Sequence, residues 1–152
     1  FPLSASAWHD GTSRLRLSGS EQGVNQAIAE LGGERVKFDW AELREQKHDL
    51  FVLEQPLTRV SLPPASVDLV PGRPQWIEWG GAQRWLSGEV DVAALREKAV
   101  TLGGSVCAFR GHATDVAVFH PLAPTMLKLQ RSIKSSLDPA GIFNSGRIYP
   151  GL

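Results

Sequence analysis

LSGSEQGVNQAIAELGG at residues 17–33 and LSGEVDVAALREKAVTLGG at residues 86–104 decide the fold. Both open on Leu-Ser-Gly, pass through a stretch with apolar residues at helical spacing, and close on Leu-Gly-Gly. Val24, Ile28 and Leu31 share one face in the first; Val92, Leu95, Ala99 and Leu102 share one in the second. Each Gly pair falls where a helix C-terminus favours a residue free to take positive φ, and Asp91 is placed to cap the second helix. The two passages echo one another, so the chain reads as a duplication.

Strand-like stretches flank each helix. Around the first they fall at residues 13–17, where Arg and Leu alternate, and at 35–38; around the second they fall at 75–79, 83–86 and 105–109. Residues 58–62 and 115–119 add two more. Two βαβ-like units with hairpin-linked extra strands predict an α+β fold: a ferredoxin-like antiparallel sheet with the helices on one face, leaving the other for a ligand or a second domain. The Pro- and Gly-rich stretch 62–74 connects the halves, which run from about 1 to 62 and from 75 to 120. Residues 121–152 form a separate helix and tail. Leu122, Met126, Leu129, Ile133 and Leu137 make an apolar stripe, Lys128, Arg131 and Lys134 lie away from it, and Asp138-Pro139 ends the helix. So elaborate an ending calls for a docking partner, without which the chain from Ile142 onward should be poorly anchored.

Composition narrows the functional classes. The 16 basic and 16 acidic residues cancel, so no global field favours nucleic acid or an anionic membrane. Cys107 is the single cysteine, which excludes an internal disulfide and suits a reducing, cytoplasmic setting. No apolar run reaches membrane-spanning length, and the start Phe-Pro-Leu-Ser without Met reads as processed or truncated. The sequence holds no Gly-x-Gly-x-x-Gly, Walker loop, Cys-x-x-Cys or Gly-x-Ser-x-Gly, hence no ready phosphate cradle or common nucleophile motif.

Three groups of residues remain as chemical candidates. His112, Asp115 and His120 offer ligands for a metallohydrolase, but strand alternation sends Asp115 and His120 to opposite faces, so no metal is assigned. Arg44 and His48 stand at i and i+4 near Trp40, a spacing that lets an Arg clamp a carboxylate beside a proton-accepting His. The segment WIEWGGAQRW at 76–85 places three tryptophans around a Gly-Gly turn flanked by Glu78 and Arg84. Its rigid aromatic face suits either a core or the wall of a planar cofactor.

SASAWHDG (4–11), RLSG (16–19), Leu43-Arg44-Glu45-Gln46-x-His48, IEWGGAQRWL (77–86), FRG (109–111), VFHPL (118–122) and DPAGIFNSGRIY (138–149) occur in order along the chain. Together they resemble the C-terminal, cap-bearing portion of the E-type FAD-binding subunit of bacterial glycolate oxidase, within the FAD-linked oxidases of vanillyl-alcohol oxidase type. The terminal motif marks the wider group, and Glu-Trp-Gly-Gly-Ala-x-Arg-Trp narrows it to that one subunit.

That resemblance implies a cap domain at 1–120 and a tail at 121–152 that returns to an N-terminal FAD domain of the same polypeptide, absent from this chain. It implies FAD, bound mainly by that missing domain, and as partners the sister D-type flavin subunit and the iron–sulfur subunit of a glycolate oxidase complex, with peripheral membrane attachment through that complex. Arg44, His48, Arg84 and Arg110 then become candidates facing flavin or substrate, with Trp79 as an aromatic wall and His120 at its edge; Asn144 and Arg147 become contacts to the FAD domain or the flavin. Related 2-hydroxyacid dehydrogenases carry Gly-His-x-Gly-Asp-Gly-Asn-x-His and a later Glu-His-Gly for metal and proton abstraction. Here residues 111–115 keep only an outline of the first, and no Glu follows Glu97. The chain alone is expected to be inactive. The alternative is a stand-alone ferredoxin-like module for small-molecule binding or dimerisation.

Overall fold

A computed structural model describes residues 1–51 and 54–152. In chain order the elements are β1 (Leu3–His9), β2 (Thr12–Leu17), α1 (Glu21–Leu31), α2 (Trp40–Arg44), a 3₁₀ turn (Asp49–Phe51), β3 (Leu57–Ser61), β4 (Gln75–Glu78), a second 3₁₀ turn (Trp79–Gly81), β5 (Gln83–Ser87), α3 (Val92–Thr101), β6 (Ser105–Arg110) and α4 (Pro124–Leu137). The six strands form one antiparallel sheet in the order β2-β1-β4-β5-β3-β6. The α+β class and the ferredoxin-like antiparallel sheet read from the sequence stand, but the helices do not share one face: α3 packs on one side of the sheet and Leu43 of α2 on the other, because both faces carry apolar side chains.

Local chemistry sets the elements. Asp10 and Gly11 both take positive φ, 47° and 71°, as a two-residue hairpin turn with the twist of its strands requires. Ser20 caps α1 through Gly23 N–H, and Asp91 caps α3 through Ala94 N–H. Helix α3 carries the chain from β5 to β6, which run parallel to each other with antiparallel β3 between them. Gly104 permits that return: a Cβ there would lie 2.5 Å from the Ser61 carbonyl oxygen and closer still to Leu62 Cδ2.

Alternation along the strands divides the core in two. Val60, Leu86, Val106 and Ala108 meet Val92, Leu95 and Ala99 of α3 on one face. Ala7, Leu57, Trp76 and Trp85 meet Leu43, Leu50 and Phe51 on the other. Neighbours Trp85 and Leu86 therefore belong to different clusters, as a period of two demands.

Two expected strands are missing. Residues 35–38 lie outside the sheet, because Phe38 leaves it to pack edge-on against Trp40 while Val36 and Lys37 stay exposed. Residues 115–119 make one ladder-like bond, Ala108 N–H to the Val118 carbonyl; the carbonyls of Ala117, Val118 and Phe119 are instead gathered by Arg96 Nη2.

The C-terminal stripe is real but uncovered. Met126, Leu129, Ile133 and Leu137 are all exposed, and α4 buries no residue. The start of the tail is hydrogen-bonded to the end of α4. Asp138 accepts the amides of Ile142 and Phe143, and Lys134 Nζ donates to both Asp138 and the Phe143 carbonyl. The side chains of Ile142, Phe143 and Ile148 remain exposed.

Candidate functional site

A pocket of about 770 Å³ opens between the β1–β2 hairpin, α2 and the turn joining β4 to β5. Its volume lies in the range of small-molecule sites. The hollow follows from side-chain size: beyond Leu3, the β1 residues that line it are the small Ser4, Ala5 and Ser6. Asp39 fixes α2 by accepting the amides of Ala41 and Glu42 at 2.8 and 3.1 Å, which sets Trp40 and Arg44 at the rim and buries Leu43.

The opposite wall is the 3₁₀ turn. Trp79 takes φ 53° and Gly80 φ 63°, so the chain reverses within two residues and the indole swings outward, 69% exposed. Gly80 N–H donates to Ser6 Oγ at 2.7 Å and pins the turn over β1. A side chain in this left-handed region costs about 1 kcal/mol or more unless its surroundings hold it; here the displacement places an aromatic face beside the pocket.

Polar groups converge on the floor and rim. Glu78 Oε2 accepts Trp85 Nε1–H at 2.6 Å and Gln83 Nε2–H at 3.2 Å, while no donor among the described residues reaches Oε1. Arg16 spends Nε and Nη2 on Ser4 and lies 5.6 Å from the Trp40 ring centroid. Arg44 pairs with Glu45 through Nε. No acceptor among the described residues reaches Arg16 Nη1 or either Nη of Arg44. The pocket thus pairs a carboxylate floor with cationic, aromatic walls.

The sequence candidates divide by location. Arg44 and Trp79 line the pocket. His48 lies next to it but is turned to the core: its Nδ1 accepts Trp76 Nε1–H at 3.2 Å, which requires a neutral ring, and His9 stacks on the same indole at 4.6 Å. Arg110 reaches Gln46 Oε1 and the Phe51 carbonyl, so it meets the pocket only through Gln46. Arg84, 5% exposed, points to the α3 face and holds the carbonyls of Ser66 and Val67 at 2.6 and 2.8 Å. His120 accepts the Val106 amide; burial, then the nearby Arg96 cation, lower its pKa. His112 Nε2 pairs with Thr58 Oγ1, away from His120. Asn144 and Arg147 sit in the exposed tail turn, joined by Arg147 N–H to the Asn144 carbonyl.

Among the described residues no three His, Cys, Asp or Glu side chains gather in metal-binding proximity, and no helix is long and apolar enough to cross a membrane. Sequence reasoning did not single out Arg16, Gln83 or Trp85 for this site and saw Glu78 only as flanking a turn. The missing signal is register: Glu78 opposite Gln83, and Ala7 opposite both Arg14 and Glu78, is set by strand pairing.

Along its whole length the chain is 37% identical, over 158 aligned positions, to glycolate oxidase subunit GlcE of Escherichia coli (strain K12). The chain is similar to GlcE. It spans 43% of the length of GlcE. No family model matches the chain, and no solved structure matches it. The GlcE relationship covers the pocket, the α3 face and the tail alike, because the match runs over all of this chain.

Proposed function

We propose that this chain is the cap and returning tail of the FAD-binding subunit of a glycolate (2-hydroxyacid) oxidase complex, where it covers the flavin and supports electron transfer or assembly. The observation that carries this reading is the 37% identity to GlcE along the whole of this chain. Two structural features support it. The open pocket presents Trp40 and Trp79 with two unspent guanidinium ends, which suits the edge of a planar, electron-rich ring and a small acid. The uncovered stripe of α4, continued by Ile142 and Phe143, is a surface of the kind that packs on another domain.

The pocket residues fit a ring edge and not a pyrophosphate, since the sequence offers no phosphate-cradling motif. FAD, held by the N-terminal domain, supplies the two-electron acceptor. This chain's own residues orient and enclose: Trp79 forms an aromatic wall, Arg44 and Arg16 supply positive charge, and Asn144 and Arg147 meet the FAD domain. The chain by itself does not turn over substrate, and its partners are the remaining part of its polypeptide and the other glycolate oxidase subunits.

The test is flavin exposure. Full-length protein is expected to hold FAD shielded from iodide quenching, and removal of the region equivalent to residues 1–152 is expected to leave the flavin accessible. Tight FAD binding by the 152-residue chain alone would overturn the reading. A second reading rests on the pocket being lined wholly by this chain: a stand-alone binding module of ferredoxin-like type, which predicts no flavin in the full-length protein.

A further inference from the structure

Glu78 stands out because half of its carboxylate has no work to do. Trp85 and Gln83, both buried, direct their N–H groups to Oε2, and this fixes the carboxylate plane. Glu78 lines the pocket, and its Oε1 meets no donor among the described residues. A buried Trp N–H needs one acceptor; an amide oxygen would serve, and the second carboxylate oxygen is surplus to that structural duty.

Positive charge faces it across the hollow. Arg16 lies two strands and two residues from Glu78, since Arg16 pairs with Ala5, and Ala7 pairs with Glu78. Strand spacing and rise put their Cα atoms about 12 Å apart. Arg44 overhangs the same space from α2. Arg16 Nη1 and both Nη groups of Arg44 have no acceptor among the described residues. An extended Arg and a Glu at this separation close on a ligand only a few atoms across, with an anion at one end and a hydrogen-bond donor at the other.

We propose that Glu78 is a specificity-determining residue of this pocket, whose Oε1 accepts a hydrogen bond from the hydroxyl group of a small hydroxycarboxylate anchored by Arg16 and Arg44. This deepens the function proposed above and rests on it. A two-carbon acid fills only the polar corner; Trp40 and Trp79 leave room for a larger side chain or for the ring edge of a cofactor.

Glycolate, methoxyacetate and acetate separate the terms, because methoxyacetate keeps an oxygen acceptor and loses the donor. Binding is read by Trp fluorescence or indole NMR on the isolated full-length protein, with FAD content measured in parallel. Wild type is expected to bind glycolate about tenfold to hundredfold more tightly than methoxyacetate, the span of a hydrogen bond to a charged group. In Glu78→Gln the amide oxygen keeps the Trp85 bond, so the NH₂ faces the pocket. It can donate to an ether and cannot accept from a hydroxyl. The preference should vanish or reverse with little change in volume. Arg44→Ala should weaken all three acids together. Wild type that does not distinguish glycolate from methoxyacetate, or a Glu78→Gln protein that keeps the full preference, would overturn the assignment. Discrimination in a full-length protein devoid of FAD would instead sink the flavin reading and leave Glu78 in place.

Discussion

His48→Ala tests whether a residue with the credentials of a proton acceptor is instead a structural one. Trp76 is fully buried, and its Nε1–H has one acceptor, His48 Nδ1 at 3.2 Å. Truncation strands that donor, at about 1–3 kcal/mol. It also removes a ring packed edge-on to Trp76 at 4.7 Å and to His9 at 5.3 Å, worth about 0.5–1.5 kcal/mol. The expected loss is about 2–4 kcal/mol. With an unfolding entropy near 2.1 cal/mol/K per residue over 152 residues, that corresponds to a drop of about 6–12 °C in Tm. Urea unfolding of His48→Ala, Trp76→Phe and the double variant isolates the bond. Phe removes the donor, so His48→Ala should cost at least about 1 kcal/mol less in the Trp76→Phe background. His48→Gln, which keeps an acceptor, should recover most of the loss. A coupling energy near zero, or a stable His48→Ala that loses ligand binding, would refute the structural role.

Other outcomes follow from particular contacts. Arg84→Met should lower stability by about 1–3 kcal/mol, since two charge-assisted bonds to Ser66 and Val67 carbonyls disappear, and should speed proteolysis within residues 63–74. Ligand affinity in the pocket should not change, because Arg84 points to the opposite face; a binding defect without a stability defect would contradict that placement. Gly104→Ala should destabilise by about 1–3 kcal/mol, because a Cβ meets the Ser61 carbonyl oxygen at the end of β3, and chemical denaturation reads it directly. The lowered pKa of His120 makes stability depend on pH in one direction. The unfolded His takes up its proton near about 6.5 and the folded one only at lower pH, so the contribution is full above about 6.5, falls as pH drops through the folded pKa, and is flat below it. His120→Gln should remove that slope. Asp138→Asn should loosen the hook, with faster amide exchange at Ile142 and Phe143. The carboxyl of Asp138 is held below its ordinary pKa by the Lys134 hydrogen bond first and the Phe143 amide next, so the same loosening should appear in wild type as pH falls through that lowered value.

Helices and turns were readable because their causes are local. Asp91 caps and Gly pairs terminate as read, and the Ser20 cap and the Asp10-Gly11 turn, which were not read, act the same way, each through sterics or one short-range hydrogen bond. Most strands were readable for the same reason: alternation reports which side chains seek a core. It fails where a long-range partner intervenes. Arg96 draws off the carbonyls of 117–119, and Phe38 finds Trp40 outside the sheet.

The candidate site was legible in residue type more than in place. Arg44 and Trp79 reach the pocket because one sits on a short helix over small β1 residues and the other on a turn with positive φ. His48, Arg84 and Arg110 share their chemistry but not their direction, and no spacing along the chain distinguishes them.

The sequence by itself determined helices α1, α3 and α4, most of the strands, the antiparallel α+β class and, through its ordered motifs, the similarity to GlcE. Only the tertiary structure decided that β3 enters between β5 and β6, that Glu78 and Arg84 face opposite sides of one hairpin, and that the small residues Ser4, Ala5 and Ser6 of β1 line a hollow beside α2. The physical reason is range. Caps, turns and periodicity are fixed by residues within a few positions of one another, whereas a pocket is made by register and side-chain volume on strands far apart in the chain.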